Sequence, residues 1–160
     1  VDGFDLDRFL TAQDMGGMLA RALGELRAGR KQSHWMWFVF PQIDGLGRSE
    51  TARHYAISSR AEAQAYLEHP ELGPRLSEAV AALLESDAVV AGHSAVDVLG
   101  AVDSQKLRSS MTLFHEVAPD RAEFVDVLER FFDGSSDPAT LELLGRLDRG
   151  DSVPDHRPPG

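Results

Sequence analysis

The run Trp35-Met-Trp-Phe-Val-Phe40 constrains this chain more than any other stretch. It is short and aromatic and contains the β-branched Val39, so by composition it suits a buried strand as well as a buried helical turn. A strand needs a partner, because an isolated one leaves its backbone N–H and C=O groups unpaired. No second strand-like run is present, whereas three-and-four apolar spacing recurs along the sequence. The block therefore reads as a short buried helix ended by Pro41. Large aromatics bury the most apolar area per residue, so Trp35, Trp37, Phe38 and Phe40 fix what packs around them.

The rest of the chain supports a helical reading. Leu6, Phe9, Leu10, Leu19, Leu23 and Leu26 follow helical spacing, and Gly16-Gly17 breaks the pattern into two parts before Gly29 stops it. Gln42 to Gly47 reads as a turn. Ser49 caps a short helix through Tyr55, and Ser59 with Glu62 forms a capping-box pattern for another through Leu67. Pro70 and Pro74 bracket the start of a helix carrying Leu72, Leu76, Val80 and Leu83 to about Glu85. Ser94 and Asp97 cap a short turn before Gly100. Asp103 or Ser104 starts the next helix, with Leu107, Met111 and Phe114 on one side. Asp120 and Glu123 repeat the capping box ahead of Phe124 to Phe132, and Gly134 closes that helix. Asp137-Pro138 places an N-cap before a proline at the first helical position. Together these signals predict an all-α, compact single domain of about eight helices, several short, spanning residues 1–150. Residues 151–160 hold three prolines and one aliphatic residue, which predicts a flexible C-terminal tail.

Charge narrows the functional classes. The formal charge is −10, which argues against general nucleic-acid binding, since affinity for a phosphate backbone rests on surplus Lys and Arg. Yet Arg27 to Arg60 holds six basic and two acidic residues, a local +4 on a chain that is otherwise −14. A basic island on an acidic protein suits a small anionic ligand better than a long polyanion. The alternative is a solvated face without a ligand. There are no cysteines, so disulfides, thiolate zinc sites and cysteine nucleophiles are all excluded. The absence of a spanning apolar run and of a signal-like N-terminus predicts a cytoplasmic protein with no membrane partner. Oligomeric state is not encoded in any pattern here.

Phosphate loops, dinucleotide fingerprints, zincin motifs and nucleophile elbows are missing. The six histidines never share the spacing that lets helix neighbours hold a metal, so neither a metal nor a cofactor is implied. What remains is two polar segments. Arg30, Lys31 and His34 lead into the aromatic block, with Trp37 as a stacking face and Gln42 after it. His34 either meets a ligand or orients the turn through a backbone carbonyl, and Trp37 is either cleft wall or core. The second segment runs from Asp103 to Thr112 and offers Lys106, Ser109 and Ser110 near a helix start, where anions are favoured. The same serines also suit close helix packing.

The residues Arg30 to Gln42, Gly45-Leu-Gly47, Tyr55-Ala-Ile-Ser-Ser59, His69-Pro70 and Lys106-Leu-Arg-Ser-Ser-Met-Thr-Leu-Phe114 closely resemble a bacterial family of unknown function often automatically labelled calpastatin. The resemblance implies a small multihelical fold and no established activity. The label itself fits poorly, because that inhibitor is a disordered chain of short repeats. The order His69-Pro-Glu-Leu72, long helix, glycine-ended turn, polar helix is a weaker echo of the NADAR family, associated with NAD and ADP-ribose. With the basic island, that echo leads to the expectation of an N-glycosidase-type hydrolase acting on a phosphorylated nucleoside or ADP-ribose-like compound. Arg30, Lys31 and Lys106 would hold phosphate, and Glu50 or Asp103 would be the catalytic carboxylate. The alternatives are a non-catalytic domain that binds an anion or a protein, and a purely structural module.

Overall fold

The computed structural model describes residues 3–150, and the tail expected at 151–160 lies outside them. The described residues form one compact all-helical domain. Helix α1 (Asp7–Asp14) turns through a short 3₁₀ segment at Met15–Gly17 into α2 (Met18–Ala28). Then come α3 (Met36–Val39), α4 (Glu50–His54), α5 (Arg60–Glu68) and α6 (Leu72–Leu84). They are followed by α7 (Asp87–Val90), α8 (Ala95–Leu99), α9 (Ala101–Val117), α10 (Ala122–Phe132) and α11 (Pro138–Asp148).

Helix α9 is the spine. It packs against α3, α5, α8, α10 and α11, and its Leu107, Met111, Leu113 and Phe114 are fully buried. A second layer, in which α6 joins α2, α5 and α10, completes the core. Phe9, Tyr66, Phe114 and Phe124 run through the centre as a chain of ring contacts 5.1–5.7 Å between centroids. Such tilted and edge-on pairs add to the hydrophobic gain of burying the rings.

Local chemistry sets most boundaries. Gly16 and Gly17 take positive φ (60° and 70°), and this divides α1 from α2. Ser49, Ser59 and Asp137 accept backbone N–H bonds as N-caps, and Ser94 with Asp97 forms a complete capping box. Three details differ from the sequence pattern. The Asp120/Glu123 box is not formed: Arg121 is the N-cap residue, and the Glu123 carboxylate instead pairs with Arg121 and accepts from the Ser77 hydroxyl. Glu62 turns from the Ser59 N–H to the Ser58 N–H because its other oxygen is held by Arg8 at 2.9 Å. Helix α9 begins at Ala101, ahead of Asp103, because Gly100 ends α8 and starts α9 in one residue.

One extended contact is present. Ile43 and Ile57 form an isolated parallel bridge in which Ile57 N–H donates to Gln42 O and Asp44 N–H to Ile57 O, both at 2.8 Å. It satisfies the backbone just after α3 and pins the 42–47 loop beside Trp37.

Candidate functional site

The site is assembled by the turn between α2 and α3. Gly29 ends α2 in the left-handed conformation (φ 72°), and a Cβ there would lie 2.5 Å from the Ala88 methyl. The chain then doubles back over Glu25. One Glu25 oxygen accepts from Gln32 N–H, Ser33 N–H and Trp35 Nε1–H at 2.8–2.9 Å, and the other from the Ser33 hydroxyl at 2.6 Å. Burial alone would raise this carboxyl, but the hydrogen bonds from Ser33, Gln32 and Trp35 outweigh it and hold the pKa at about 2. A single carboxylate thus templates the turn and draws the Trp35 ring into the core, where it is fully buried.

The opposite side of the turn is fixed to α9. Lys31 N–H donates to Val98 O at 2.8 Å, and Lys31 Nζ reaches Ser33 O at 2.5 Å and Asp103 Oδ2 at 2.8 Å. Asp103 Oδ1 takes Lys106 Nζ at 3.2 Å. Burial pushes the Asp103 carboxyl up, yet the hydrogen bonds and charges of Lys31 and Lys106 win and leave it below its ordinary value. Lys106 Nζ in turn stands 3.9 Å from the centroid of the Trp37 ring, a cation–π geometry.

Trp37 is half-buried and forms one wall of a groove of about 380 Å³, with Gln42, Leu46 and Gly47 beside it. The facing wall is the first turns of α9, Val102, Gln105, Lys106 and Ser109, and Asp137 closes one end. Gly47 is required here, since a Cβ would fall 2.5 Å from Ala52 Cβ. Gln42 is 8% exposed, and its Nε2 is buried without a hydrogen-bond partner. Buried polar groups are rarely left so. Asp137, by contrast, is saturated: it accepts from Ser109 Oγ, Thr140 N–H, Thr140 Oγ and Gln105 Nε2.

The residues singled out in the sequence therefore separate. Trp37, Gln42, Lys106 and Ser109 line the groove together, with Lys31 and Asp103 directly behind Lys106. His34 opens instead on a second cavity, against Phe38 and α1. Arg30 and Glu50 are exposed and line neither space. Ser110 is fully buried and does not line the groove. Spacing alone could not have shown Glu25 as the organiser, because on α2 it occupies an ordinary polar-face position. Asp137 was visible only as a cap, and Gln105 only as one of several polar residues near the start of α9. Among the described residues no group of three or more His, Asp or Glu side chains gathers to hold a metal, and no helix is long and apolar enough to cross a membrane.

This geometry defines a small helical protein with a tryptophan-walled groove between a basic turn and a helix start. Residues 3–144 match the family described as a protein of unknown function, DUF1810, and the chain belongs to that family. Its fold is similar to the crystal structure of the conserved hypothetical protein Rv1873 from Mycobacterium tuberculosis, determined at 1.38 Å. The two share 46% identity over 90% of this chain and 99% of that one, with a TM-score of 0.84. No curated protein matches the sequence.

Proposed function

We propose that the groove between α3 and α9 binds a small molecule that carries a flat ring and an anionic group, such as a phosphorylated nucleoside, and that it does so without turnover. The observation that supports this best is the meeting of three complementary side chains along one hollow: the Trp37 ring, the Lys106 ammonium and Gln42, whose buried Nε2 lacks a hydrogen-bond partner. An indole face stacks a base or sugar, an ammonium attracts phosphate, and an orphan donor favours a ligand oxygen. The volume is within the roughly 300–1,000 Å³ of small-molecule sites.

The hydrolase reading has less support. Cleavage of an N-glycosidic bond needs a carboxylate that reaches the reacting sugar or its water. Asp103 is occupied by two ammonium groups at 2.8 and 3.2 Å and does not line the groove, and Glu50 is exposed away from it. Asp137 does line it, but with four donors already on its oxygens.

Titration with AMP and with ADP-ribose, followed by tryptophan fluorescence and by chromatography of the recovered ligand, tests the proposal. Saturable quenching with intact ligand is expected, lost in Trp37→Ala and Lys106→Met. Released base or ribose restores the enzyme reading, and a flat fluorescence response with both compounds removes the binding reading.

A further inference from the structure

The groove is not the molecule's largest hollow. A second cavity of about 460 Å³ opens between α1, the Met15–Gly17 segment, α3 and the end of α4. It shares no lining residue with the groove, and its chemistry is of another kind. Phe38, Tyr55, Met15 and Met18 supply its apolar lining, and the exposed Asp5 and Asp7 line it as well.

The apolar part is adaptable. Met15 is 67% exposed, an unusual position for a large apolar side chain, and it is held there by the turn in which Gly16 and Gly17 both have positive φ. Methionine side chains are unbranched and polarizable, and they shape themselves to varied ligands. Across from them the Phe38 and Tyr55 rings lie 5.4 Å apart at 52°, with His54 edge-on to Tyr55 at 4.6 Å. Ring faces set at an angle attract cations through their quadrupoles.

The charge at the rim has one sign. Among the described residues Arg8 is the only Arg or Lys side chain lining the cavity, and it is fully engaged. It pairs with buried Glu62 at 2.9 Å and donates to the carbonyls of Asp5, His54 (2.7 Å) and Ala56 (2.8 Å). Among the described residues neither Asp5 nor Asp7 forms an ion pair with a Lys or Arg side chain. The two carboxylates therefore set the sign of the charge that a ligand meets on this side of the cavity.

We infer that this cavity is a second ligand site, selective for a small organic cation: an apolar ring bearing a protonated amine. The ring enters among the methionines and aromatic side chains, and the ammonium faces Asp5 and Asp7. This site stands independently of the groove and prefers the opposite ligand charge.

The test uses ligands of one shape and three charges. The full chain, labelled with ¹³C at the methionine methyls, is titrated at about pH 8 with benzylamine, benzyl alcohol and benzoate and followed by NMR. Benzylamine is expected to shift the Met15 and Met18 methyls saturably while buried Met111 stays still. Its affinity should exceed that of benzyl alcohol by about fivefold or more, with benzoate weakest, as expected for an ammonium within a few ångströms of two partly solvated carboxylates. In an Asp5→Asn/Asp7→Asn double variant the order should collapse to within about twofold, while Met15 and Met18 still respond. Both substitutions are at exposed positions, and circular dichroism checks that the fold is kept. The inference is overturned if benzylamine leaves both methyls unmoved, if the three ligands bind alike or benzoate binds best, or if the double variant keeps the full preference.

Discussion

Trp35 and Trp37 are separated by one residue at the start of α3, and the two rings meet opposite environments. Trp35 is fully buried, with its indole N–H donated to Glu25 and Lys31 5.1 Å from its ring centroid. Trp37 is half-buried, with Lys106 on its face and a groove beside it. The residue type is the same, so the difference arises from the polar group each ring is given. A carboxylate that already holds two backbone N–H groups draws one ring inward and rigidifies the turn. An ammonium tethered to Asp103 covers the other ring while leaving it reachable. The first arrangement is architecture, and the second suits a binding surface supported by that architecture.

The sharpest way to break this contrast is to remove each ring. Trp35→Ala is expected to cost about 3–5 kcal/mol, the usual range for emptying a large aromatic position in a core. Trp37→Ala should cost less, about 1–3 kcal/mol, because part of its ring is already in contact with solvent. Urea unfolding at neutral pH measures both, and Trp35→Phe serves as the milder variant if Trp35→Ala does not fold. Equal losses would show that Trp37 is a core wedge, and the groove would lose its proposed platform.

The next test concerns Glu25, the group that makes Trp35 architectural. Its folded pKa of about 2 lies below the ordinary 4.5, so between those values the unfolded chain binds more protons than the folded one. Stability contributed by Glu25 is therefore complete above about pH 4.5 and is lost as pH falls towards 2. Glu25→Gln should lower stability at neutral pH by about 1–2 kcal/mol, the cost of leaving partly buried donors poorly matched. The gap to the natural sequence should narrow below pH 4.5 and close near pH 2. A gap that stays constant with pH would mean that the turn does not depend on the ionised carboxylate.

The two sides of the turn also differ in how much of them the sequence reveals. The helical class, the break at Gly16-Gly17, the Gly29 stop and the caps at Ser49, Ser59, Ser94 and Asp137 are local events, written in spacing and in side chains that reach two or three residues away. They can be read because their partners are nearby in the chain. Helix α7 escapes such reading, since four residues show no periodicity. The failed box at Glu123 shows the limit from the other direction: its carboxylate was competed for by Ser77, from a different helix. For the groove, residue types pointed to Trp37 and Lys106, but their meeting depends on the Lys31–Asp103 link, and no local pattern encodes a contact across seventy positions. His34 illustrates the same point. It adjoins the aromatic block in sequence, yet the turn of α3 directs it to the other cavity.

The smallest expected effects lie on the groove side, where charge rather than volume is at stake. Asp103→Asn leaves Lys31, whose side chain is 8% exposed, with the Ser33 carbonyl, the Trp35 ring and a neutral amide as partners and no opposite charge. An uncompensated buried charge costs more than the pair contributed, but Lys106 at 19% exposure can turn to solvent, so the loss should be about 1–2 kcal/mol. Lys106→Met should cost less, about 0.5–1 kcal/mol, because Asp103 keeps Lys31 and what goes is a partly solvated ion pair with Asp103 and the contact with Trp37. Adding Lys31→Met to Asp103→Asn should recover part of the loss, since the orphan ammonium is replaced by an apolar side chain beside the Trp35 ring. Chemical denaturation of the three variants decides the matter. Recovery in the double variant identifies the stranded Lys31 charge as the cause. Further destabilisation would instead show that the ammonium is held by Ser33 and Trp35 on its own account, and that Asp103 serves mainly to bring Lys106 over the ring of Trp37.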